Sequence, residues 1–251
     1  MKPAVAIRVW DLPLRLFHWA LVICVVGAFV TIQVGGNWVE WHFRFGYATL
    51  ALIVFRILWG LFGDRYSRFS SFLYGPARIL AYLRGGAAVA GAASPPATGA
   101  RAAAGEPDSP GHNPLGSLSV FAMIAFLLVQ PTLGLFSNDD IASEGPLARF
   151  VSKEFSDLLT GLHHRGELVL FLLVGLHLAA IAWYALFRRK NLVRPMITGD
   201  KLADAGRAGA PVATNAGAPA SLAARDDAGV RLRAVVLFAL SAAAIWFLVT
   251  L

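Results

Sequence analysis

The stretch GLHHRGELVLFLLVGLHLAAIAWYALF, residues 161–187, decides the fold. It is long and apolar enough to cross about 30 Å of hydrocarbon as one helix, a task that takes about 20 residues. It also carries three histidines, His163, His164 and His177. Ionisable side chains at membrane depth are costly and mark function, so each imidazole needs a bonding partner. At about 100° per residue, the step from His163 to His177 returns to within about 40° of the same face, whereas His164 lands about 140° away from His177. Two of the three therefore share an inward face, about 21 Å apart along the axis.

The rest of the chain agrees with a membrane setting. Of its 251 residues 57% are hydrophobic and 15% charged, where a soluble domain carries about a quarter charged residues. Four more segments are long and apolar enough to span, at about 13–34, 38–62, 115–136 and 235–251, beside the one at 162–187. The first is too long and too rich in Trp and His for a signal-peptide core, and it is read as retained. The loops then set the topology. With the N-terminus in the cytoplasm, seventeen of the 22 Lys and Arg fall on inner segments, and the outer loops hold only Arg149 and Lys153. That asymmetry satisfies the positive-inside rule and predicts a multi-pass membrane protein with its N-terminus in the cytoplasm. The formal charge of +7 is thus a topology signal with attraction to membrane lipids, and no nucleic-acid partner is expected. The single cysteine, Cys24, lies in an apolar run and reads as a packing residue.

Two inner stretches, at about 85–111 and 202–230, are dominated by Ala, Gly and Pro, with too few large apolar side chains to form a core. They are expected to be flexible linkers. The fold class is therefore all-α: an integral membrane four-helix bundle in residues 1–201, a disordered linker over 202–230, and an additional fifth helix at 231–251 that looks like an appendage.

The chain has six histidines, His18, His42, His112, His163, His164 and His177. Under this topology His42 and His163 lie at the outer level, and His18 and His177 at the inner one. Each inward histidine of the fourth span can then meet one from another helix. Two bis-imidazole levels stacked in a four-helix bundle are what two b-type haems require. Zinc is a poorer match, since two histidines without Cys, Asp or Glu hold it weakly. Arg56 sits 14 residues after His42, on the same face. It either snorkels to lipid phosphate or holds a propionate of the inner haem. Arg165 is the matching candidate on the outer side, with Arg44 a weaker one. His164 and His112 read as interface or helix-start residues. Trp10, Trp19, Trp38, Trp41 and Trp183 read as interfacial anchors. VQPTLG marks a proline kink with Gln130 inside the bundle. The acidic loop SNDDIASEGPLARFVSKEFSD is a solvated loop or a docking site for a basic redox protein.

Four segments, VWDLPLRLFHW, WHFRFGYATLALIVFRILWG, GHNPLG and LHHRGELVLFLLVGLHLAAIAWY, together resemble the bacterial cytochrome b561 family and the related b-type subunits of nickel–iron hydrogenases. The resemblance covers about residues 8–201. It implies that His18 and His177 bind the inner haem iron, that His42 and His163 bind the outer one, and that Arg56 matches a family arginine. It also implies electron transfer between quinone and partners at the membrane surface. The expected function is a transmembrane electron carrier between quinone and a periplasmic c-type cytochrome. An alternative is the membrane anchor of a hydrogenase or other dehydrogenase catalytic subunit. A proton or metal-ion transporter and a purely structural anchor are the rivals from other classes. No nucleophile, oxyanion site or phosphate loop is visible, so any enzymatic activity is expected to be quinol or quinone oxidoreduction.

Overall fold

The computed structural model describes residues 4–83, 114–141, 143–204 and 223–251. The stretch expected as a linker at 85–111, His112, and residues 205–222 of the second linker lie outside the described residues. The elements are β1 (Ala4–Arg8), α1 (Leu12–Val34), α2 (Val39–Phe62), α3 (Pro76–Leu83), α4 (Pro114–Gly134), α5 (Lys153–Leu186), α6 (Val193–Thr198), β2 (Asp200–Asp204) and α7 (Ala228–Val249). Five helices are long and apolar enough to span a membrane: α1, α2 (extended back to Gly36), α4, α5 and α7.

Their ends follow from local chemistry. Asp11 caps α1 by accepting from the Leu14 amide at 2.7 Å, and Pro13 sits in the first turn, where its missing N–H costs nothing. Gly35 and Gly36, at φ 70° and 57°, then turn the chain tightly into α2, a conformation that glycine adopts without strain. Ser152 caps α5 and Asp227 caps α7 in the same way as Asp11. Both of these helices begin earlier than hydropathy suggests. α5 starts at Lys153 rather than about 162, and α7 at Ala228 rather than about 231–235. Polar first turns carry no apolar signal, yet a cap makes them helical.

α2 is the central element. Half of its most apolar 18-residue window is buried, against none of the corresponding window of α5. It packs against α1, α4 and α7, while α5 rests mainly on α4. The fifth helix is therefore no appendage. Val230, Ala234, Ser241 and Ile245, one face of α7 at helical spacing, are buried, and Val230, Ala234 and Ile245 share two apolar cores with Phe55, Trp59, Leu50 and Ala51 of α2.

The inner end is locked by polar groups. The fully buried Asp11 accepts from Trp59 Nε1 at 3.2 Å and Ser67 Oγ at 2.5 Å besides its cap bond, tying the start of α1 to the end of α2 and the loop beyond. Burial pushes the Asp11 carboxyl up from its ordinary value, against the hydrogen bonds from Ser67, Leu14 and Trp59, which pull it down. A short antiparallel sheet adds a second tie, pairing Ala4 with Asp204 through to Arg8 with Asp200. The ordered chain thus runs a few residues into the stretch assigned to linker. Arg8 completes this end, reaching Asp200 at 2.6 Å and Asp226 at 2.9 Å, while its carbonyl accepts from the Ala224 amide at 2.7 Å.

Replacing Asp11 by Ala strands three buried donors. Asp11→Ala is expected to cost about 3 kcal/mol, since a lost cap and stranded donors each cost on the order of 1–3 kcal/mol. The loss will show as a lower midpoint in thermal unfolding of the detergent-solubilised protein.

Candidate cofactor sites

His42 stands one turn into α2, and its Nδ1 lies 2.8 Å from the Ala28 carbonyl of α1. His163 of α5 does the same toward α4, with Nδ1 2.8 Å from the Gln130 carbonyl. An oxygen can only accept, so Nδ1 carries the proton in both rings and donates it. The second nitrogen, Nε2, is left as a bare lone pair, the form in which imidazole binds a metal. Gln130 returns the contact by donating its side-chain amide to the His163 carbonyl at 2.8 Å. The close approach needs a glycine. A Cβ on Gly134, one turn beyond Gln130, would stand 3.1 Å from the His163 ring.

The two rings face each other with centroids 6.1 Å apart and planes crossed at 81°. Two metal–nitrogen bonds of about 2 Å plus a ring half-width of roughly 1 Å on each side come to roughly 6 Å, so this is the spacing of two imidazoles on opposite sides of one metal ion. Among the described residues no group of three or more His, Cys, Asp or Glu could hold a metal. A porphyrin, which supplies four nitrogen ligands of its own, would need only such a pair from the protein.

The inner pair is built differently. His18 of α1 lies near enough to His177 of α5 for electrostatic interaction, and both are half-buried. Its Nδ1 is buried without a hydrogen-bond partner among the described residues. α1 and α5 meet through side chains at their outer halves, Phe29 edge-on to Phe171 at 5.0 Å and Gln33 with Glu167 at 3.4 Å.

The other sequence candidates fall as follows. Arg56 is buried, 2% exposed, donating to the Ser67 carbonyl at 3.2 Å and lying 4.9 Å over the Phe69 ring. It does not snorkel to a lipid phosphate. Arg165 and His164 are exposed. Arg44 pairs with Glu40 and covers the Trp41 ring at 4.9 Å. Sequence reasoning attached no chemistry to Gln130, although a lone amide beside proline in an apolar span was a usable signal. It passed over Asp11 and Arg15, which precede His18 in WDLPLRLFHW.

Residues 9–199, most of the chain, match the family model described as prokaryotic cytochrome b561. The chain belongs to that family. This cytochrome b561 is accordingly a multi-pass membrane b-type cytochrome that binds b-type haem and works in electron transfer, and the transporter and purely structural readings fall away. No curated protein and no solved structure matches it. The matched region ends at Gly199, just before β2, so β2 and α7 lie beyond it.

The residues present fit haem at the outer pair by ring spacing and by the free Nε2 positions. A bulkier residue at 134 would push the His163 ring from its carbonyl. Gly134→Val is expected to lower haem bound per chain, measured by pyridine haemochromogen assay. Gly161→Ala, whose added carbon meets nothing within 4 Å, is expected to leave it unchanged.

Proposed function

We propose that this cytochrome b561 is a di-haem protein of the bacterial inner membrane, with its N-terminus in the cytoplasm. It carries electrons between the quinone pool and a periplasmic redox partner such as a c-type cytochrome. The observation that carries this reading is the His42–His163 ring pair at 6.1 Å, with His18 of α1 within electrostatic reach of His177 of α5 at the other level. His18 and His177 are the proposed axial ligands of the inner haem, and His42 and His163 those of the outer. Arg56 is assigned to an inner propionate, supported by its complete burial, and Arg165 to an outer one, supported by its place two residues from His163.

Each bound haem supplies a one-electron centre, and the rest falls to the protein. The bonds from His42 and His163 to the Ala28 and Gln130 carbonyls fix ring orientation and make each Nε2 a stronger donor to iron. Levels about 21 Å apart along α5 suit electron passage across the bilayer rather than along its surface. Phe171, between those levels, packs on Phe29 and keeps the intervening seam apolar. The orientation rests on the charge of the inner segments. Asp139, Asp140, Glu144, Glu154 and Asp157 of the outer loop give a basic soluble partner an attractive field.

The purified chain is expected to hold two haems. His163→Ala is expected to remove one and leave the other, whereas His164→Ala keeps both. Haem-to-protein ratios with reduced-minus-oxidised spectra read this directly, and equal loss in the two variants would contradict the assignment.

A further inference from the structure

His18 differs from the outer histidines in a way that points to its surroundings. Both outer rings give their Nδ1 proton to a backbone carbonyl. The His18 Nδ1 is as buried and has no acceptor among the described residues. One turn earlier on α1, three residues away and so on nearly the same face, Arg15 presents a second such atom. Its Nε is buried and unpartnered among the described residues, although the side chain as a whole is only 14% exposed. The guanidinium is held from its other end. One terminal nitrogen donates to the Ile197 carbonyl of α6, and the other stands 4.0 Å from Asp226. That carboxylate is already engaged by Arg8 at 2.9 Å and Arg231 at 3.2 Å. Arg15 is thus held through both terminal nitrogens, while its buried Nε has no acceptor among the described residues.

Two buried nitrogens on one helix face are without a partner among the described residues, and one of them is a cationic donor. A buried unpaired donor is expensive, and a charged one more so. The fitting complement is an anionic oxygen donor-free at neutral pH, a carboxylate. We infer that Arg15, through Nε, binds a propionate of the inner haem, and that Asp226 holds Arg15 in position for it. The inference rests on the two-haem reading above. It also gives the C-terminal segment a part in the cofactor site. Asp226 lies outside the residues matched to the family, so a residue of the extension positions a residue of the matched bundle. Arg15 comes from α1 and Arg56 from α2, one for each carboxylate of a single haem.

The test is a spectroelectrochemical titration of the full-length protein in detergent. An arginine beside a propionate offsets its negative charge and favours the reduced iron. Arg15→Gln is therefore expected to lower the reduced-to-oxidised ratio of one haem about tenfold at fixed potential, ~59 mV for one electron, leaving the second haem unmoved. Arg15→Lys, which keeps the charge without the fork, should shift it less. Asp226→Asn, which removes a negative charge as well as a hold on Arg15, should shift the same haem alone and leave the second unmoved. Arg8→Gln breaks the same ionic cluster on the side away from His18 and should shift neither haem. If Arg15→Gln sheds one haem and Arg15→Lys retains it, that supports the assignment equally. Native potentials in Arg15→Gln, or an equal shift in Arg8→Gln, would overturn it while leaving the two-haem reading intact. A native chain with one haem overturns both.

Discussion

The structure depends on what a buried imidazole does with its two nitrogens. In an apolar bundle neither can fall back on bulk water, and an unpaired one costs on the order of a few kcal/mol. His42 and His163 solve half of this by giving one proton to a backbone carbonyl each. That leaves each ring with an acceptor nitrogen, Nε2, in a pair whose centres lie 6.1 Å apart. Two lone pairs cannot satisfy each other, and a metal between them satisfies both. The proposed outer ligand pair is thus supported by its hydrogen bonding as much as by its spacing, and the carbonyl partners prescribe which nitrogen is free.

Those partners come from helices that must be close and correctly rotated. His42 uses α1, and His163 uses α4, so each ring is oriented by a neighbour of its own helix. Gly134 admits the second ring, and a side chain there would crowd it at 3.1 Å. At the inner end the lock is ionic rather than helical. Asp11 joins α1, Trp59 and Ser67, and Arg8 joins β1, β2 and the segment leading into α7. Single exposed ion pairs of this kind contribute little. Here the Asp226 carboxylate, only 9% exposed, is shared among three arginines, and a shared, buried partner loses less side-chain freedom per contact.

Much of this was legible in the sequence, for reasons that can be named. Span number followed from hydropathy, because crossing a membrane demands a long apolar run and nothing else supplies one. The inward face of α5 followed from the 14-residue spacing of His163 and His177, because a helix converts spacing into direction. The carbonyls of Ala28 and Gln130 were not legible. Every residue has a carbonyl, and only the helix packing selects which two meet a histidine. The Asp11 cluster was hidden for a related reason: its members lie 48 and 56 residues apart, with no local period to link them. The β1–β2 pairing joins the two ends of the family region, which no window of sequence could show.

The fifth helix is the strongest case of packing overriding composition. Preceded by an Ala-rich stretch, it reads as detached, yet it lies along α2 and contributes to both cores. Its buried positions, Val230, Ala234, Ser241 and Ile245, are small or medium-sized, which lets two helix backbones approach closely in lipid, where van der Waals contact replaces the hydrophobic effect as the driving force. Its wide face, with Leu232, Val235 and Trp246 exposed, suits acyl chains. α2 is consequently enclosed by α1, α4 and α7, and His42 is carried on the most constrained helix of the molecule. α5, which carries His163 and His177, has little of its apolar window buried and touches α1 chiefly through side chains. The two ligand-bearing helices are thus unequal: one is a fixed post. The other rests mainly on α4 and leaves its apolar face open.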